Sequence, residues 1–266
     1  MADPAPLIYG LYSLVTVVIY AYLGWRIGQR PLTSGIRLPG FQFSLVWYSL
    51  AALQSIAALE SLWAAVALPP LALVLTLFHL KTLIACVLIW ALVSYLIFLF
   101  TGRSYLWPIS IIYAGSYVVL QYLIEASGPY TVTLTYGAVG LAARSVSPGG
   151  GFLIGLVALL IVPEVVGAAL YFSLFFRTTD RTLRYRIGLV SWALLLWFGV
   201  SVTVGGVDDL GPVILTRLVG LLAALMVLVA YFPPRAIRKR LGVGSVESRP
   251  IVTGASLAAE GTTDHE

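Results

Sequence analysis

Residues 76 to 90 read Thr76-Leu77-Phe78-His79-Leu80-Lys81-Thr82-Leu83-Ile84-Ala85-Cys86-Val87-Leu88-Ile89-Trp90. This run holds the chain's one cysteine and, ahead of Pro233, its one histidine and one lysine. Around them the run is apolar and continues so from about Leu71 to Phe100, a length that crosses a bilayer as a helix. Ionisable side chains at membrane depth are costly, so they face the protein interior and find partners there. The fold therefore turns on what surrounds His79 and Lys81.

The wider composition agrees. The chain is 60% hydrophobic and 10% charged, with a mean hydropathy of +0.96, whereas soluble domains carry about 25% charged residues. The apolar runs are continuous rather than alternating, which selects helices over a transmembrane barrel. Met1-Ala2-Asp3-Pro4-Ala5-Pro6 carries no basic residue ahead of the first run, unlike a secretory signal. With one cysteine and two histidines, neither an internal disulfide nor a typical zinc site is expected. The net charge of +5 calls for no nucleic-acid partner, because its distribution along the chain accounts for it.

Seven spans are expected, at about 7–25, 41–68, 71–100, 105–126, 151–176, 183–204 and 212–232. Pro39-Gly40, Pro69-Pro70, Gly102 and Pro233-Pro234 punctuate them. Between spans four and five, Ser127 to Gly150 contains the alternating stretch Thr131-Val132-Thr133-Leu134-Thr135-Tyr136 and reads as an ordered flap or short hairpin. Residues 241–266 are rich in Gly, Ser, Thr and Glu and are expected to form a disordered cytoplasmic tail. Loop charge sets the orientation. Arg26, Arg30, Arg37, Arg103, Arg177, Arg181, Arg184, Arg186, Arg235, Arg238, Lys239 and Arg240 fall on one side, and only Arg144 on the other. The expected architecture is an all-α, seven-transmembrane bundle in the cell membrane, N-terminus outside and C-terminus cytoplasmic. No internal repeat supports an inverted-repeat transporter.

Counting depth at 1.5 Å per residue puts Lys81 roughly 15–17 Å below the outer surface and Glu164 at about 20 Å; Glu60 and Arg217 come out at roughly 8–11 Å. Charges of both signs thus gather in the outer half, while the inner half is expected to be apolar. Lys81 is expected to meet Glu164, and Glu60 to meet Arg217. His79 and Lys81, about 200° apart on a helix, point to opposite sides of a centrally placed third span. Pro163 is expected to kink span five beside Glu164. Trp90, Trp192 and Trp197 lie within their spans rather than at the interfacial belt, where they can wall a cavity.

Lys81, Glu60, Glu164 and Arg217 are thus the candidate ligand-binding residues, with His79, Trp90 and Trp197 as walls. The plainer alternative is that the same charges are structural ion pairs fixing helix register. A transporter or channel in which Glu164 titrates or binds an ion, and a non-catalytic subunit of a membrane complex, are further alternatives. No enzymatic constellation, metal site or cofactor is expected. His79 has no second intramembrane histidine with which to hold a haem. Arg177, Arg181, Arg184 and Arg186 serve as topology and lipid-headgroup anchors, or as a docking site for a cytoplasmic signalling partner.

The topology is similar to that of the retinal proteins, but span seven contains Arg217 and no lysine, which argues against a retinal Schiff base. A second set of residues is more specific: Trp25-Arg26 with Arg30-Pro31, Trp47, Leu59-Glu60, Lys81, Tyr95 followed by Thr101-Gly102-Arg103, and Arg184-Tyr185-Arg186-Ile187-Gly188. In these the chain resembles the seven-transmembrane N-terminal sensor region of bacterial and archaeal histidine kinases and related receptors, over most of residues 7 to 232. The resemblance implies a prokaryotic receptor that binds a small or lipidic ligand. No kinase follows span seven, so signal output is expected to pass through a separate partner.

Overall fold

A computed structural model describes residues 4–29, 38–101, 103, 105–126, 130–137, 140–145, 150–203 and 210–241. Helices dominate it: α1 (Ala5–Gly28), α2 (Leu38–Val66), α3 (Leu71–Thr101) and α4 (Leu106–Ala126). A hairpin follows, β1 (Tyr130–Gly137) and β2 (Gly140–Ser145), and then α5 (Gly150–Leu156), a π-helical turn (Val157–Ile161) and α6 (Val162–Arg177), which run on from one another. The chain continues through α7 (Arg181–Thr203), α8 (Leu210–Tyr231) and the short α9 (Arg235–Leu241). Of the expected tail, 241–266, Leu241 is the last residue of α9 and the rest lies outside the described residues.

Among the described residues, six helical stretches are long and apolar enough to cross a membrane: Ala5–Gly28, Gly40–Val66, Leu71–Thr101, Leu106–Ala126, Ile154–Arg177 and Gly211–Tyr231. Their outward faces are as apolar as their buried ones. On α1, Leu11, Val15 and Val18 are more than half exposed. A soluble helix would carry polar residues there. A multi-pass bundle in lipid explains the pattern.

Local chemistry sets the helix ends. Pro69 and Pro70 stop α2 and open α3, Pro108 sits in the first turn of α4, and Pro233-Pro234 separates α8 from α9. Asp180 caps α7: its Oδ1 accepts hydrogen bonds from the backbone N–H groups of Thr182 (2.7 Å) and Leu183 (2.9 Å). Pro163 acts as expected on the fifth span, but through a widened turn. It has no N–H to donate, and its ring would crowd the carbonyl four residues back. Just ahead of it, the Val162 N–H reaches the Val157 carbonyl, five residues back. The π turn makes room for the proline and delivers Glu164 one residue later.

Helices α1, α2, α3, α6, α7 and α8 form a closed ring in that order, since α8 also packs on α1. Helix α4 lies outside the ring, on α3 and α5. Helix α3 is the hub, touching α2, α4, α6, the π turn and both strands. The alternating stretch of the flap forms β1, which pairs antiparallel with β2, Tyr130 opposite Ser145 and Tyr136 opposite Leu141. This hairpin rests on α2, α3 and α8 at the end of the bundle where α2 gives way to α3.

The closest helix contact is α1 on α2, where small residues let backbones approach in lipid. Ser44 Oγ donates to the Gly24 carbonyl at 2.6 Å. A Cβ on Gly24 would stand 3.2 Å from the Ser44 carbonyl oxygen and 3.1 Å from the Tyr48 ring. One turn on, a Cβ on Gly28 would stand 3.0 Å from Ser44 Oγ. The Gly24–Gly28 spacing thus sets how near α1 lies. Gly24→Val is expected to destabilise the bundle by about 1–3 kcal/mol through overpacking, read as a lower thermal unfolding temperature in detergent. An unchanged transition would show that α1 is not held at this point.

Candidate functional site

The residues expected to share one outer pocket lie in three places. The first is an ion pair under the hairpin. Lys81 Nζ donates to Glu60 Oε1 at 2.8 Å and Oε2 at 2.9 Å, and to the Leu141 carbonyl at 3.1 Å. Both side chains are buried. Antiparallel α2 and α3, joined by a short connection, bring Glu60 and Lys81 to one level. The expected Lys81–Glu164 pairing is therefore replaced by Lys81–Glu60. Glu164 lies farther from the hairpin, level with Leu88 and Leu92, about 10–16 Å along α3 from Lys81 at 1.5 Å per residue. Among the described residues the ion-pair partner of Glu60 is Lys81 rather than the expected Arg217. The Arg217 guanidinium donates to the Tyr9 hydroxyl and lies over the Tyr9 ring, 5.3 Å from its centroid. Tyr9 joins Ala57, Val213 and the hairpin's Leu141 in a small buried cluster.

The second place is a cavity inside the ring. Phe43, Trp47 and Leu50 of α2, Leu88 and Leu92 of α3, and Trp197 of α7 face Glu164 of α6 across it, and α8 closes it from Gly220 to Val227. About 50 Å³ of it is open to the centres of water-sized molecules, more than one water needs. Glu164 is its one ionisable lining residue and is only 5% exposed. Its Oε1 is buried without a hydrogen-bond partner, and so is the Trp47 indole Nε1. An unsatisfied acceptor and an unsatisfied donor thus belong to two residues that line one apolar chamber. Trp197 is held edge-on to Tyr20 (centroids 6.0 Å apart), and a Cβ on Gly220 would come within 3.1 Å of its ring. The chamber sits deeper than an outer-half site: Leu50 is about 15 Å along α2 from Glu60.

The third place is the opposite side of α3, where His79 points, as its separation from Lys81 dictates. A His79 ring nitrogen contacts Gln121 Oε1 on α4. Trp90 Nε1 donates to Ser110 Oγ at 3.0 Å, on the floor of an apolar groove between α3 and α4. Trp90 therefore walls this groove rather than the Glu164 chamber. Trp192, at 55% exposure, faces outward against Phe172 and walls neither.

Three features were not among the expected pocket residues. Trp47 lines the chamber although the plain reading of its span does not mark it. Gln54, 2% exposed, carries a buried Oε1 without a partner one turn beyond Leu50. The end away from the hairpin, expected to be apolar, holds buried Gln42 and Ser94 and a Tyr95–Tyr231 hydroxyl contact at 3.3 Å, with Phe43 stacked on Tyr95 at 4.8 Å between centroids. Trp47 and Gln54, seven residues apart, share one face of α2, and that spacing was the available signal. At the same end, Arg177, Arg181 and Arg184 are exposed, Arg184 lies 4.9 Å from the Phe175 ring centroid, and Arg186 is half-buried.

No family model, curated protein or solved structure matches the chain. The chemistry of the two charged sites is the guide, and they differ in kind. Lys81–Glu60 is complete: charge is balanced, each carboxylate oxygen accepts a hydrogen bond, and a third hydrogen bond anchors the hairpin. Glu164 is incomplete.

That difference predicts opposite mutational behaviour. Lys81→Ala strands a buried carboxylate and is expected to cost about 3–5 kcal/mol, whereas Glu60→Leu with Lys81→Met restores most of it. Glu164→Gln, which removes no ion pair, is expected to leave stability within about 1 kcal/mol. Equilibrium unfolding in mixed micelles measures all three; a Glu164→Gln loss as large as that of Lys81→Ala would make Glu164 structural.

Proposed function

We propose that the chain is a seven-span, receptor-like sensor of the cell membrane that binds a small ligand in the Glu164 chamber and signals through a separate partner. The observation that carries this reading is the buried Glu164 oxygen without a partner, facing an apolar chamber walled by five helices. Small-molecule sites combine apolar walls with few convergent polar groups, and unbalanced intramembrane ionisable groups mark function by default. The resemblance to histidine-kinase sensor regions at Trp47, Glu60, Lys81 and Arg184 to Gly188 supports the same class.

In this reading α7, the sixth span in chain order, brings the count to seven, its apolar stretch from Ile187 onward crossing the bilayer. The N-terminus and hairpin lie outside, and the arginine-rich α6–α7 turn lies in the cytoplasm. The chamber meets α6, α7 and α8 directly, so a ligand there can bias the helices that carry Arg177, Arg181, Arg184 and Arg186. Differential affinity for two arrangements of these helices is what signalling requires.

Two measurements test the reading. In a thermal-unfolding screen of small molecules against purified protein, hits are expected to raise the transition of the wild type and to lose that effect in Glu164→Ala and Trp197→Ala; hits unaffected by either change would place ligands elsewhere. For topology, single cysteines in a Cys86→Ser background are expected to react with an impermeant maleimide from outside at Thr133 and only after permeabilisation at Thr179. Labelling of both from one side would rule out seven spans. Flux of a solute through proteoliposomes that Glu164→Gln stops would favour a transporter instead.

A further inference from the structure

Resting on the reading of the Glu164 chamber as the ligand pocket, we infer that its ligand is a small protonated amine, with the ammonium seated on Glu164. Four observations lead there. The chamber holds one carboxylate and no cationic side chain, so the group that completes it carries positive charge or donates hydrogen bonds. Lys81, the intramembrane lysine, is engaged by Glu60 and the Leu141 carbonyl and stands about two to three helical turns away along α3. The walls supply Phe43, Trp47 and Trp197, aromatic surfaces of the kind that attract ammonium groups. Finally, the room is small, which fits a short chain rather than an acyl lipid.

A bare metal ion fits poorly by comparison. Calcium takes six to eight oxygen ligands and magnesium a near-ideal octahedron, whereas the other lining residues present apolar side chains, an indole N–H and a glycine. An ammonium needs fewer partners. It donates to Glu164, and its remaining surface is answered by the aromatic walls. The unsatisfied Trp47 N–H adds a second recognition point, for an acceptor oxygen on the same ligand. The preferred ligand is then a short amine bearing an ether, hydroxyl or carbonyl oxygen.

Isothermal titration of full-length protein in nanodiscs tests this with three probes matched in length: pentylammonium, 3-methoxypropylammonium and neutral 1-pentanol. Both amines are expected to bind, the methoxy amine more tightly, and 1-pentanol at least about tenfold more weakly than either, as loss of a charge-assisted hydrogen bond requires. Glu164→Gln is expected to lower amine affinity at least about tenfold and leave 1-pentanol unchanged, while Trp47→Phe removes the preference for the methoxy amine. If 1-pentanol binds as tightly as the amines, the chamber is a ligand pocket but the amine assignment is wrong. If none of the probes binds and the screen above also finds no Glu164-dependent ligand, the pocket reading itself falls. Should Glu164→Gln fail to fold, the ranking of the three probes on the wild type decides the matter alone.

Discussion

The hydrogen bonds of the Lys81 ammonium join three parts of the molecule that are distant in sequence. Two go to Glu60 and tie α3 to α2; the third goes to the Leu141 carbonyl and ties both helices to the hairpin. In lipid an unanswered charge has no water to turn to, so this arrangement is maintained by the cost of its alternatives. It levels α2 against α3, seats Leu141 in its cluster with Tyr9, Ala57 and Val213, and closes that end of the ring. With one end fixed so, the rest of the ring can hold open space around Glu164.

The two buried carboxylates among the described residues illustrate how context divides roles between chemically equivalent groups. Glu60 is neutralised on the spot and acts as a brace. Glu164 is placed by α6 among apolar and aromatic side chains, with one oxygen unused. A bundle built only for stability would fill that chamber with a leucine. The proposed ligand would answer the carboxylate kept there instead.

Much of the fold was legible because lipid imposes simple rules. Apolar runs, prolines and glycines placed the helix ends to within a few residues, and the alternation from Thr131 to Tyr136 pointed to the strand. Which polar residue meets which was less legible, because depth counted along separate segments carries errors of about a turn. That error sufficed to pair Lys81 with Glu164 in place of Glu60. Trp47 was named for the resemblance but not for the pocket, for another reason: a tryptophan in an apolar span looks like packing until its neighbours show that its N–H has no partner.

The π turn at Val157–Ile161 also has a bearing on how tolerant the chain is of length changes. Physically it is a regular helix with one residue to spare, and that residue sets the azimuth of everything before it relative to everything after. Deleting one position there would leave a continuous helix but swing α5 by about 100° around the axis of α6. The seat of α5 on α4 could not survive such a turn. A single surplus residue thus sets the phase between the two halves of the fifth span.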